Sequence, residues 1–224
     1  MRYTLLVSSA LVTLGMTPHL ASQAAQIVLE NGTGLEFVRI VPQAVTYRGH
    51  KALRLTEAPG ANNNAIALVN DVQFQDGTID IDVAGLPAAG STEGARGFVG
   101  VVFRSTAHAG LYDCFYIRPT NGRADDQLRR NHSTQYVSEP DFPWQKLREA
   151  TPGVYESYAD LETGAWTHLK IEVNGVRARL FVNGAAEPAL IVNDLKRGAT
   201  KGQVGLWIGP GTEAHFKDLR VTSK

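Results

Sequence analysis

Gly97-Phe-Val-Gly-Val-Val-Phe-Arg104 and Tyr112-Asp-Cys-Phe-Tyr-Ile-Arg118-Pro-Thr-Asn121 read as two β-strands. β-Branched and aromatic residues dominate each run, and turn-forming residues bound them. Side chains alternate faces along a strand. Val99, Val101 and Phe103 therefore share one face, while Phe98, Gly100, Val102 and Arg104 take the other. In the second run Asp113, Phe115 and Ile117 oppose Tyr112, Cys114, Tyr116 and Arg118. With Phe103, Phe115 and Ile117 on the core side, Arg104, Tyr116 and Arg118 line the accessible one. A sheet face carrying two arginines and a tyrosine suits a polar, planar or hydroxyl-rich ligand. It points to binding more clearly than to catalysis.

The same logic extends outward. Phe74–Val83 alternates with Ile79, Ile81 and Val83 on one face and Asp80 and Asp82 on the other, and a long Gly/Pro/Ala/Ser-rich loop is expected over 84–95. Ala165–Val173 and Val176–Val182 flank Asn174-Gly175, the pattern of a two-residue hairpin turn. Gly202–Ile208 sets Val204, Leu206 and Ile208 against Trp207, and Ala214–Val221 supplies a last strand. Before the central pair, strands are expected within Gln26–Phe37 and Ala44–Leu55 and at Ala65–Val69, with a polar turn at 59–64. Residues 120–163 carry little periodicity beyond a helical turn near Trp144–Ala150, and a loop of that length often carries function. About ten or more short strands with Gly-rich turns specify an all-β fold, an antiparallel sandwich or jelly roll.

The N-terminus pairs Arg2 with an apolar run from Leu5 to Met16 and a small-residue stretch, Ala21–Ala25. This is the layout of a signal peptide over 1–24, followed by one domain over 25–224 in an exported, periplasmic or extracellular protein. The apolar run is shorter than the ~20 residues a membrane span needs. A formal net charge of zero leaves no basic excess for a nucleic-acid surface. The one cysteine, Cys114, excludes an intrachain disulfide. It falls on the accessible face by strict alternation, although a lone cysteine is more often a small buried apolar residue.

Several segments together resemble a known group. They are Phe74-x-x-Gly77-Thr-Ile79, Gly100-x-x-Phe103-Arg104, Phe115-Tyr-Ile-Arg-Pro-x-Asn121 and Pro143-Trp144. To these add Gly164-x-Trp166-Thr-x-Leu-Lys-Ile-Glu-Val173, Phe181-Val-Asn-Gly184, Gly202-x-Val-Gly-Leu-Trp207 and Phe216–Val221. The group is the concanavalin A-like, laminin-G-like jelly rolls, including the bacterial family known as 3-keto-disaccharide hydrolase. The resemblance implies two antiparallel sheets with a ligand site on a concave face, and a carbohydrate or glycoside as partner, either bound or cut.

Cutting a glycan usually takes two carboxyl groups across the bond. The Glu-x-Asp-x-x-Glu strand motif of the jelly-roll glucanases is absent here, and Asp80 and Asp82 are the remaining catalytic candidates. The histidines show no metal-ligand spacing, so no metal or other cofactor is expected. Calcium, as in related lectin-like domains, lacks a supporting loop pattern. Binding asks for less: arginine forks for hydroxyls and flat aromatic bodies for sugar ring faces. The candidate ligand-binding residues are Asp82, Arg104, Tyr116, Arg118, Asn121, Trp144 and Trp207. The chain therefore reads as a carbohydrate-binding jelly roll, with a glycosidase-type hydrolase or a structural, adhesive module as alternatives.

Overall fold

A computed structural model describes residues 23–61 and 65–224. The expected leader lies outside the described residues except for its last two positions, as does part of the expected turn at 59–64. In chain order the strands are β1 (Gln23–Ile27), β2 (Leu35–Val38), β3 (Ile40–Tyr47), β4 (His50–Glu57), β5 (Ala65–Phe74), β6 (Gly77–Pro87), β7 (Val99–Ser105) and β8 (Tyr112–Ile117). After β8 come helix α1 (Gln127–Asn131), β9 (Thr134–Glu139), helix α2 (Trp144–Ala150) and β10 (Glu156–Ser157). The chain finishes with β11 (Thr167–Asn174), β12 (Arg177–Val182), β13 (Leu190–Val192), β14 (Gly202–Ile208) and β15 (Thr212–Ser223).

These strands form two antiparallel sheets. One runs β13-β12-β11-β6-β15-β4-β3, with β1 added along β15; the other runs β10-β9-β8-β7-β14-β5-β2. The all-β jelly-roll sandwich follows from residues that alternate as expected. Ile79, Ile81 and Val83 of β6 and Leu169 and Ile171 of β11 are buried between the sheets, as are Val101 and Phe103 of β7, Phe115 and Ile117 of β8 and Leu206 of β14. Phe103 stacks on Phe115 with centroids 6.0 Å apart and meets Phe74 edge-on at 6.5 Å. Among the described residues no helix is long and apolar enough to cross a membrane.

Three boundaries differ from expectation. The run Phe74–Val83 is broken by a turn at Gln75-Asp76, so that β5 ends and β6 begins inside it, and β6 continues to Pro87. The β11–β12 turn is Gly175-Val176, one residue later than expected, because Asn174 pairs with Arg177. The register is held by the core pairs Ile171–Leu180 and Val173–Ala178, and Gly175 takes the positive φ of +59° that a leading glycine supplies in such turns. The stretch 120–163 is not one loop. It contains β9, which extends the second sheet beside β8, and α2, which matches the expected turn.

Arg104 departs from the alternation of its strand. Ser105 pairs with Gln203 and Val102 with Gly205, so Phe103 and Arg104 together oppose the single residue Val204. This is a β-bulge, with Arg104 at φ +53°. Its side chain is fully buried. Nε donates to the Gln75 carbonyl at 2.9 Å, and the terminal nitrogens donate to the carbonyls of Gly198 (2.5 Å) and Gly175 (2.6 Å) and to Asp76 Oδ1 (3.1 Å). The expectation that Arg104 lines the accessible face is corrected: the bulge turns it into a tie between turns.

His215 of β15 is buried and stacks on Tyr47 with centroids 3.6 Å apart. Burial pushes its pKa from 6.5 down to about 4, against the weaker pull of Glu213. Above pH 6.5 both folded and unfolded chains hold it neutral. As pH falls from 6.5 towards 4, only the unfolded chain takes up the proton, so stability drops across that window. Replacing His215 with Phe should remove this component, by up to about 3 kcal/mol at pH 4. Urea denaturation of both proteins at pH 7 and pH 4 checks it; an unchanged pH dependence in the variant would count against the assignment.

Candidate functional site

The outer face of the β7–β9 and β14 strands carries the side chains that the core does not take. Across one row the register is Trp207–Gly100–Tyr116–Gln135, running through β14, β7, β8 and β9. Neighbouring strands lie about 4.8 Å apart, so Trp207 and Tyr116 start roughly two strand spacings from each other. Their ring centroids nevertheless sit 4.6 Å apart. They meet because Gly100, between them, has no side chain: a Cβ there would lie 2.2 Å from the Phe115 carbonyl oxygen and 2.5 Å from Tyr116 Cβ. Phe98 approaches Tyr116 edge-on at 6.2 Å, and the Trp207 indole bonds to Tyr112. Together they make an aromatic floor.

Above this floor opens a cavity of about 760 Å³, with Phe98, Tyr112, Tyr116 and Trp207 below, Trp144 and Pro143 on one wall and the Gly90–Ala95 loop on the other. That is within the ~300–1,000 Å³ typical of small-molecule sites. Trp144, at the start of α2, is 37 % exposed. Glu139, at the end of β9, is the one carboxylate lining this cavity among the described residues. Burial raises its pKa above the ordinary carboxyl value, with no cation acting against it.

A second cavity, of about 570 Å³, shares Gly94, Phe98 and Trp144 with the first. Its other lining residues include Arg96, Arg118, Asn121, Asp126, Arg129, His132 and Arg148. The two form one groove with an aromatic end and a cationic end. Arg118 is 5 % exposed. It donates to the His132 carbonyl (2.9 Å), the Tyr116 hydroxyl (2.9 Å) and Gln135 Oε1 (3.1 Å). Burial raises the Tyr116 pKa to about 12, against the opposing pull of Arg118, so the phenol is neutral. Asn121 is buried, donates to the His132 carbonyl (3.2 Å) and accepts from Arg129 Nε (3.0 Å). It therefore orients Arg129. Arg148 lies over Trp144 at 4.6 Å and makes a forked ion pair with buried Glu156.

Five expected residues thus gather at one groove: Tyr116, Arg118, Asn121, Trp144 and Trp207. Asp80 and Asp82 do not. They sit on the outer face of the other sheet, across the sandwich. Asp82 accepts from Lys217 and from His168 Nδ1 at 2.8 Å; burial raises its pKa, but these two partners outweigh it and leave it below the ordinary value. Asp80 lies 3.5 Å from His168 Nε2. Asp82 is held by Lys217 and His168 and Asp80 lies beside His168, on the sheet opposite the groove, which corrects the placement of Asp82 beside the arginines. Cys114 is fully buried, and burial raises its thiol pKa well above normal.

Glu139, Phe98, Arg96, Arg129 and Arg148 were not singled out from sequence. The signal for Glu139 was faint: in Thr134-Gln-Tyr-Val-Ser-Glu139 polar residues occupy both faces, so the strand does not announce itself. Among the described residues, no group of three or more His, Cys, Asp or Glu is disposed to hold a metal ion.

With this geometry established, residues 27–222 match the family described as the 3-keto-alpha-glucoside-1,2-lyase-like domain. The chain belongs to that family. No curated protein matches it. Among solved structures, the carbohydrate binding module CBM66 from Bacillus subtilis superposes with a TM-score of 0.59 at 16 % identity, covering 87 % of this chain and 99 % of that one. A second B. subtilis protein, with a galectin-like fold, gives 0.57 at 12 % identity over 91 % of this chain and 100 % of the other. Peanut lectin gives 0.54 at 9 % identity, covering 91 % and 98 %. At these identities the likeness concerns the fold, and it agrees with the jelly-roll architecture of this lyase-like domain.

Gly100→Ala should wedge Tyr116 and Trp207 apart and strain the β7–β8 pairing, costing about 1–3 kcal/mol or more. Chemical denaturation and the Trp fluorescence spectrum report the two effects separately. A variant of native stability and spectrum would mean that the floor does not depend on this glycine.

Proposed function

We propose that the groove binds a carbohydrate, its ring face on the Tyr116–Trp207 floor and its hydroxyls on the Arg118 fork. The observation that carries this reading is the joined aromatic and cationic lining. Flat aromatic bodies bury apolar ring faces, and arginine presents fixed donors to oxygen. The exposed edge of Trp144 supplies a wall that a ring can slide against. Family membership supports the same ligand class, since the family's description concerns a glucoside.

Glu139 favours a second reading, that the bound glycoside is also cleaved. Hydrolysis calls for two carboxyl groups, and the aromatic cavity offers one. Elimination needs only one base. In a 3-keto glucoside the ketone acidifies the C2–H bond. Glu139 would take that proton, the C–H electron pair would become the C1–C2 double bond, and the C1–O bond would break, its electrons leaving with the aglycone, which then gains a proton. A carboxyl whose pKa is raised by burial is the better base for this step.

Both readings are tested by offering the protein a panel of neutral glycans and 3-keto glucosides. Calorimetry follows binding, and ultraviolet absorption follows the conjugated enone product. Trp144→Ala, at an exposed position, should weaken binding by about tenfold without unfolding. Glu139→Gln should still bind, and should lose any product formation by at least about a hundredfold. Binding without product in the unaltered protein would discard the lyase reading, and silence on both would discard the carbohydrate reading.

We also propose that the protein is exported with cleavage after Ala24. N-terminal sequencing of protein recovered outside the cytoplasm should begin at Ala25; an intact Met1 on that fraction would refute cleavage.

A further inference from the structure

The cationic end of the groove holds more positive charge than its own surroundings neutralise. Four arginines line it, against one lining acid, Asp126. Asp126 is occupied as the cap of α1, where it accepts from the Arg129 backbone N–H at 2.6 Å. Arg148 has its partner in Glu156. The other three do not: Arg96, Arg118 and Arg129 have no carboxylate within 4.0 Å among the described residues. Arg96 donates to the backbone carbonyls of Glu93 and Ala95. Arg129 is held by Asn121 and by the Thr120 carbonyl and hydroxyl. Arg118, the most buried of them, is held by a carbonyl, a phenol and an amide.

Arg118 is a buried guanidinium whose hydrogen-bond partners are all neutral, so no opposite charge meets it at contact distance. Taking a charge out of water is costly unless an opposite charge meets it. Burial is the main influence disfavouring the charged forms of Arg118 and Arg96; Arg148 and Arg96 add to it at Arg118 and Arg129 at Arg96, while Glu156 and Glu93, from beyond contact distance, act the other way. Structural roles explain single arginines here, but not three unpaired ones facing one cavity. A ligand anion would relieve all of them together, and arginine forks match planar or tetrahedral oxyanions.

We propose that the arginine basin receives an anionic substituent, a carboxylate or a sulfate ester, on the carbohydrate whose ring lies over Tyr116. This rests on the reading of the groove as a carbohydrate site and narrows it to acidic sugars. The polarity is set by the fold. From Tyr112, which pairs with Glu139, to Arg118 just past the end of β8 is six residues, about 20 Å at ~3.3 Å per residue, so the acidic group would face away from Glu139 at the aromatic end.

The test compares three ligands of one backbone by calorimetry on the full chain: an oligosaccharide bearing a uronic acid, its methyl ester, and the sulfated neutral oligosaccharide. The acid should bind at least about tenfold more tightly than its ester, and the preference should shrink with added salt. Arg129→Gln and Arg96→Gln should each cut the preference severalfold, with folding verified by denaturation. Arg118→Lys, which keeps the charge and loses the fork, should bind the acid more weakly than the unaltered protein while still preferring it to the ester. A sulfated ligand tighter than the uronate would assign the basin to sulfate, and the reverse to carboxylate. Equal affinity for acid and ester, with no gain from the sulfate, would overturn the proposal and leave the carbohydrate groove standing; absence of binding by any of the three, where the neutral panel also fails, would remove both.

Discussion

A β-strand must present every second side chain to the opposite face, and this constraint lets one strand build both the interior and the groove. In β8, Phe115 and Ile117 enter the core while Tyr112 and Tyr116 turn outward. A shift of one residue would exchange the two sets. Neither set can then be altered alone: the core aromatics fix the register, and the register places the groove aromatics. Gly100 completes the arrangement by leaving vacant the one position where a side chain would separate Tyr116 from Trp207.

The two sheets differ in how their outer faces handle charge. Outside β6, β11 and β15, the acids and bases lie in contact: Asp82 with Lys217 and His168, and Glu172 with Lys170 and Arg179. Outside β8 and in the loops over it, arginines gather with few acids. The formal charge of the whole chain is zero, so the contrast is one of distribution alone. A protein neutral overall keeps a local potential at the groove, where low-dielectric walls strengthen it.

Much of the sandwich was legible from periodicity, because the core strands carry Val, Ile, Leu and Phe at every second position. The aromatic half of the groove was legible for the same reason: Tyr116 and Trp207 are the outward partners of unambiguous core residues. What escaped were the places where alternation is interrupted or weak. The bulge at Arg104 adds one residue and reverses the side chain, and nothing local in Val-Val-Phe-Arg-Ser marks it. Strand β9 has polar residues on both faces, which hid Glu139. The arginine basin draws on Arg96, Arg118, Arg129 and Arg148, each from a different segment. No spacing rule connects them, since only the folded loops bring them together. Asp80 and Asp82 show the converse: their shared face was read correctly, but sequence alone does not tell which of two sheets a strand joins.

Arg104 also bears on how fast the molecule comes apart. Its partners, Gln75, Asp76, Gly175 and Gly198, lie 29, 28, 71 and 94 residues away along the chain. Gly175 belongs to a turn of the opposite sheet, and Asp76 to the turn by which the chain crosses from one sheet to the other. Contacts of such long sequence separation carry a large loop-closure cost, so the guanidinium can be enclosed only after the sheets have come face to face. An interaction formed that late leaves the folding rate largely untouched and acts on the unfolding rate. In a chevron plot its loss would steepen nothing and would lift the unfolding limb, which makes the bulge a latch on the native state's lifetime.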